Sequence, residues 1–201
     1  MDIFLITGKP ACGKDTQADF IAKKFKAKKI ITSKLVGNFL SNTALNKIKI
    51  GNSVIDLEKQ RKIPEQGKLW NPKLVSFVLS KELLKAIKLK KSIVISGSPR
   101  TLAEAKDYFD ILNKNLNKEN YHFINLKISD KTSIKRALLR KRNIDDSAKV
   151  VKERLNVFKK QILPTIFFLK KQGVLMEING EKTRKEIFAE ICKKVEKKFK
   201  C

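Results

Sequence analysis

The sequence predicts an α/β fold, a parallel five-stranded sheet with helices on both faces, and three observations carry that reading. Short apolar runs of strand length alternate with amphipathic helical stretches along the chain. The first run passes through a glycine-rich turn directly into a helix, the order that a phosphate-cradling turn requires. The alternation fails between Thr32 and Asn71, which marks an insertion within one unit. At 201 residues a single domain, 1–201, is the default, and that length buries a substantial core.

The first strand is Ile3–Ile6, followed by a helix whose Ala18, Ile21, Ala22 and Phe25 recur at helical spacing. A second short strand, Lys29–Ile31, leads into the insertion, 32–71. Its short polar–apolar pattern reads as a small helical insertion at the strands' carboxyl ends, where open α/β sheets bind ligands. The third strand is Ser92–Ser96 with a helix from Thr101 to near Lys114. The fourth is His122–Lys127 with a helix from Lys131 to Lys141. From Ser147 to Gln172, Val151, Leu155, Phe158, Ile162, Ile166 and Leu169 share one helical face, and Pro164 predicts a kink. The fifth strand is Val174–Ile178, and the last helix, Thr183–Phe199, buries Ile187, Phe188, Ile191, Val195 and Phe199. The chain shows neither internal repeat nor low-complexity linker.

The glycine turn, Gly8-Lys9-Pro10-Ala11-Cys12-Gly13-Lys14, has the form G-x-x-x-x-G-K, with Asp15 next and the hydroxyl at Thr16. Gly8 and Gly13 let the backbone curl so that successive N–H groups point at phosphate oxygens. The helix start beyond Gly13 adds partial positive charge. Lys14 reaches the β- and γ-phosphates of a nucleotide, and Thr16 ligates Mg²⁺. The sheet is therefore expected to be of the P-loop NTPase type, with ATP and Mg²⁺ as ligand and cofactor. Cys12 is expected either as a reactive thiol that bound ATP protects or as a small residue filling the underside of the loop.

Composition limits the alternatives. No apolar run approaches the length of a membrane span, and the short first run entering the loop does not form a signal peptide. Cys12, Cys192 and Cys201 are too few for a disulfide framework, and a cytoplasmic monomer is expected. The net charge of +26 raises a nucleic-acid partner. Only seven of the 46 basic residues are Arg, however, and most Lys falls on polar helix faces, so nucleic acid is not the favoured partner. The few Arg cluster where the chemistry is expected.

Four segments, taken in order, resemble the adenylate kinase family of nucleoside monophosphate kinases. Gly8 to Gln17 is similar to its phosphate loop, including Pro10 and the closing Thr16-Gln17. The Gly67-Lys68-Leu69-Trp70-Asn71-Pro72-Lys73-Leu74-Val75 run resembles a segment lining its monophosphate site. Ser96-Gly97-Ser98-Pro99-Arg100-Thr101 resembles its D-G-F-P-R-T, and Arg136, Arg140, Asp145-Asp146 and Arg154-Leu155 follow the order of residues around its lid. The resemblance implies transfer of the γ-phosphoryl of ATP to a nucleoside monophosphate, AMP foremost. It implies ATP contacts at Gly8, Pro10, Ala11, Cys12, Gly13, Lys14, Asp15 and Thr16, with Arg136 over the donor base. Arg100 would grip the acceptor phosphate, and Arg140, Arg142 and Arg154 would spread across the transferring group. Ser33, Asn38, Leu69, Trp70, Gly97, Arg100 and Glu104 would line the acceptor site. Asp145 and Asp146 would orient the arginines of a very short lid, 140–147.

The departures are specific. Leu35 stands where the family has an acidic residue, Asn38 where it has a second acceptor Arg, and Ser96 where it has an Asp that helps hold the waters of magnesium. Glu104 replaces a Gln that reads the acceptor base, and Asn143 falls at a lid Arg, with Arg142 beside it. Two readings follow, a working kinase with an altered acceptor site, or a degenerate kinase fold that binds nucleotide, RNA or a ribonucleoprotein.

Overall fold

The computed structural model describes residues 1–63, 68–140 and 148–198. Five strands form the parallel sheet, namely β1 (Ile3–Gly8), β2 (Lys28–Ile31), β5 (Ile93–Ser96), β6 (Tyr121–Lys127) and β7 (Leu175–Asn179), in the order β2-β5-β1-β6-β7. All five fall where the apolar runs predicted them. The central strand β1 is buried at each of its positions, which is why its sequence is an unbroken apolar run rather than an alternating one. Ile3 and Phe4 pair with Ile93 and Val94 of β5 on one side and with Tyr121 and His122 of β6 on the other.

Alternate side chains of each strand feed two separate cores. Phe4, Ile6, Val94, Ile124, Leu126 and Ile178 pack under α1 (Lys14–Lys24) and α9 (Arg184–Lys198). Ile3, Leu5, Ile93, Ile95, Tyr121 and Phe123 pack on the opposite face. That face is covered by α2 (Thr32–Asn42), α4 (Pro72–Lys88), α5 (Leu102–Asn115) and α8 (Leu163–Lys171). The helix α4 was not singled out in the sequence pattern. Asn71 caps it, its side chain accepting from Lys73 N, and Pro72 opens it.

The insertion departs from the expected all-helical form. It contains α2, the short α3 (Leu57–Arg61) and an antiparallel hairpin, β3 (Lys47–Ile50) with β4 (Ser53–Asp56). Lys-Ile-Lys-Ile alternates with a period of two, and Gly51, at φ +56°, supplies the left-handed turn residue such a hairpin favours. Arg61 fastens this block, donating to the carbonyls of Leu40, Thr43 and Leu45 at 3.1, 2.9 and 3.2 Å.

The helix pair beyond β6 consists of α6 (Asp130–Arg140) and α7 (Ala148–Val157). Between α7 and α8 the backbone takes one wide π-helical stretch, Phe158–Ile162, just ahead of Pro164. A proline cannot donate to the preceding turn, and the wider turn absorbs the mismatch where a kink was expected. Leu79 is fully buried between α4 and the sheet, whereas Phe167 on α8 is 62% exposed. Leu79→Ala is expected to cost about 2–5 kcal/mol of unfolding free energy and Phe167→Ala less than about 0.5, as urea denaturation followed by circular dichroism would measure.

Candidate active site

The glycine loop leaves the carboxyl end of β1, and its shape depends on one missing atom. A Cβ on Gly8 would lie 2.8 Å from the carbonyl oxygen of Leu126 and 2.8 Å from Cys12 Sγ, and φ there is +150°. Only glycine fits. Ala11 and Gly13 also take positive φ, +56° and +91°, so the backbone curls into a concavity of amides. Gly13 caps α1 without a side-chain acceptor, which leaves the amides at the start of that helix facing the concavity.

Neighbouring elements brace the loop from below. Ser133 Oγ of α6 donates to Pro10 O at 2.7 Å. Lys9 pairs with Asp130 at 2.7 Å, and Lys159 pairs with the same carboxylate at 3.0 Å. The hydrogen bonds from Lys9 and Lys159 hold the Asp130 carboxyl below its ordinary range. Ala11 packs with Ala137, Val151 and Leu155 of α6 and α7. Lys9 is thus engaged in structure, whereas Lys14 has no ion-pair or hydrogen-bond partner among the described residues. Cys12 is 0% exposed and packs into the core beneath Gly8, so of its two expected roles the structure matches the space-filling one.

The second loop, 97–101, follows β5, the neighbour of β1 in the sheet. Its Ser98–Pro99 peptide is cis. Arg100 Nε donates to Gly97 O at 2.6 Å, and a Cβ on Gly97 would sit 3.0 Å from the Arg100 guanidinium. Glu104, expected to read an acceptor base, turns inward instead and is 2% exposed. It accepts from Ser98 Oγ at 2.7 Å, Arg100 N at 3.1 Å and Thr101 Oγ1 at 3.2 Å. Burial pushes its carboxyl up, against those hydrogen bonds and the charge of Arg100. It organises the loop that carries Arg100.

Arg100 and Arg154 lie within electrostatic reach of one another. Burial pulls the Arg100 guanidinium down, Glu104 and Asp15 push it back up, and Arg154, half-buried on α7, pulls it further down. Like charges within each other's field, both side chains half-buried, favour an anion beside them. Ser96 Oγ, at the end of β5, donates to Asp15 Oδ1 at 2.6 Å, so a carboxylate of α1 lies at the junction of the two loops. The family resemblance implies an ATP contact at Asp15, and the bond to Ser96 is not written in the sequence. The available signal was an acid directly after the phosphate-loop lysine.

Other expected site residues lie further out. Arg136 donates to Gly180 O at 2.9 Å and reaches Glu181 O at 3.5 Å in the turn after β7. Ser33 and Asn38 are exposed on α2. Trp70 packs against the sheet core and donates its indole N–H to Gln60 O at 3.0 Å, and Leu69 beside it is half-buried. Thr16 is half-buried in the first turn of α1. Arg142, Asn143, Asp145 and Asp146 lie outside the described residues, as do Gly67 and Cys201, and of Arg140, which ends α6, only the backbone is described. No cluster of three or more His, Cys, Asp or Glu side chains occurs among the described residues. The Thr16 hydroxyl and Asp15 carboxylate are hard oxygen donors, a set that suits Mg²⁺ entering with nucleotide phosphates rather than a metal held by protein alone. No helix among the described residues is long and apolar enough to cross a membrane.

The Adenylate kinase family model matches residues 6–174. The chain belongs to the adenylate kinase family. An adenylate kinase of Leptospira biflexa serovar Patoc (strain Patoc 1 / Ames) is 30% identical over 198 residues, covering 97% of this chain and 100% of that protein. One of Prochlorococcus marinus (strain NATL1A) is 31% identical over 176 residues, 88% of each chain. One of Elusimicrobium minutum (strain Pei191) is 26% identical over 226 residues, 98% and 99%. Membership of the adenylate kinase family makes the protein a phosphotransferase of the nucleoside monophosphate kinase type, with nucleotides as substrates. For Cys12 the burial has a direct consequence. Iodoacetamide on the native protein is expected to label the half-buried Cys192 ahead of Cys12, with Cys12 reacting only on unfolding. Peptide mass spectrometry would read this, and early labelling of native Cys12 would contradict its placement.

Proposed function

We propose that this member of the adenylate kinase family transfers the γ-phosphoryl group of ATP to AMP. The observation that carries the reading is the curled amide loop ending in Lys14, unpaired among the described residues, with Arg100 and Arg154 within each other's field beside it. Phosphoryl transfer needs two anionic substrates brought into line and their charge neutralised, with little covalent work from the protein. The loop amides and Lys14 hold the donor phosphates. Arg100, seated on Gly97 and backed by Glu104, holds the acceptor phosphate. Arg154, with Arg140 and Arg142, spreads across the transferring group, where bidentate charge-assisted bonds are strongest. Arg136 and the turn after β7 take the donor base. Mg²⁺ carried with ATP would draw charge from the phosphate oxygens, and Thr16 would hold it. Ser33, Asn38, Leu69 and Trp70 line the acceptor side, and Asp145 and Asp146 orient the arginines of the 140–147 lid. AMP is placed first because relatives covering nearly the whole chain carry the name adenylate kinase. A cytoplasmic monomer completes the reading, supported by the free thiols Cys12 and Cys192.

A coupled assay of ATP with AMP, CMP, UMP, GMP and deoxynucleoside monophosphates tests the reading. AMP is expected to give the highest kcat/KM, and no transfer to any of them would sink it. Lys14→Ala is expected to lower kcat by roughly 100-fold or more while leaving thermal stability unchanged. Arg100→Lys is expected to raise the acceptor KM with the donor KM nearly constant, because a point charge cannot reproduce the guanidinium fork. Equal weakening of both substrates would remove Arg100 from the acceptor site.

A further inference from the structure

A carboxylate inside a phosphate-binding loop is an electrostatic liability, since it repels the ligand that the amides and Lys14 attract. Asp15 sits in this position, between Lys14 and Thr16 in the first turn of α1, and it is not left to swing into solvent. Ser96 Oγ holds its Oδ1 at 2.6 Å, which turns the side chain toward the end of β5 and the Arg100 loop. In phosphate-loop enzymes Mg²⁺ is held by the loop hydroxyl together with an acidic side chain from elsewhere in the chain. The strands flanking β1 end here in Ser96 and Lys127, neither of them acidic. The nearest acid beyond β6, Asp130, is engaged by Lys9 and Lys159, and Glu104 is bonded within its own loop. Asp15 adjoins Thr16, and a carboxylate can accept about four hydrogen bonds, so accepting from Ser96 does not by itself exclude donors from a hydrated ion. Mg²⁺ keeps several of its waters and is typically bound through one or two carboxylates plus substrate phosphates.

We infer that Asp15, oriented by Ser96, is the carboxylate that holds the water shell of the Mg²⁺ carried in with ATP, so that in this chain the acid is contributed by the loop-helix junction and the strand end contributes its positioning hydroxyl. The inference rests on the kinase reading. Ser96 acts through Asp15 and is a positioning residue.

Calorimetric titration with the non-hydrolysable analogue AMP-PNP, in EDTA and again in excess Mg²⁺, separates the metal's contribution from that of the bare nucleotide. Asp15→Asn is expected to bind AMP-PNP in EDTA at least as tightly as wild type, because a repulsive charge has gone. Its Mg²⁺-dependent gain in affinity is expected to shrink by about tenfold, the lower end of what loss of such an outer partner costs a metal. Ser96→Ala keeps the carboxylate but removes the bond that orients it, and a smaller loss of the same gain is expected. If Asp15→Asn fails to fold by circular dichroism, Ser96→Ala decides, and an unchanged gain in it overturns the inference. A wild-type gain retained by Asp15→Asn overturns the inference and leaves the kinase reading standing. Wild-type protein that binds AMP-PNP in neither medium would bring down the kinase reading, and this inference with it.

Discussion

The chain leaves β1 through a gap that admits no side chain, and the rest of the site hangs from that gap. Gly8 passes within van der Waals reach of the Leu126 carbonyl on β6, so the loop is folded against the neighbouring strand rather than lifted off the sheet. That close approach fixes where α1 begins and therefore where its uncapped amides point. The order β5-β1-β6 then sets the 97–101 loop on one side of the glycine loop and the start of α6 on the other. Sheet topology thus delivers three loops to one edge before any charged residue takes part.

Charge acts on that frame in two ways. Most of the +26 net charge comes from lysines in excess of the acids. Some lysines pair singly, as Lys28 does with Glu82 and Lys29 with Asp19, and others share one carboxylate, as Lys127 and Lys170 share Glu177. Exposed pairs of this kind contribute little individually. The arginines are used differently. Arg61 ties the insertion together, Arg136 bonds the turn after β7, and Arg100 lies in the field of Arg154. Burial and Arg154 pull the Arg100 guanidinium down, and the inward Glu104 together with Asp15 acts in the opposite direction. A buried carboxylate beneath the arginine keeps the loop assembled without an exposed acid to compete for the ligand.

The five strands and the glycine loop were legible because each is written locally, in apolar runs and in φ-permissive glycines. The hairpin at 47–56 was not, because Lys47–Ile50 alternates over only four residues and Ser53–Asp56 does not alternate at all, so a short helical pattern fits nearly as well. Helix α4 went unmarked because its cap is an Asn-Pro pair at the end of a stretch already assigned to the insertion. The inward turn of Glu104 and the bond between Ser96 and Asp15 are contacts between elements 6 and 81 residues apart, made by rotamers that no single-chain pattern records. Trp70 adds another contact of this kind. A residue placed at the site by its segment is also a packing residue, its indole N–H given to Gln60.

The donor loop is fastened to α6 twice, and the two fastenings differ in kind. Asp130 lies between the ammonium groups of Lys9 and Lys159 with part of its side chain in solvent. Mobile ions in the medium weaken that bridge, since partly exposed charges are screened. The bond from Ser133 to the Pro10 carbonyl is neutral, and Ser133 is fully buried, so dissolved electrolytes do not reach it. A shift in the ionic medium therefore loosens Lys9 while Pro10 stays seated, and the loop keeps its register on α6 even as the stiffness of its leading edge changes.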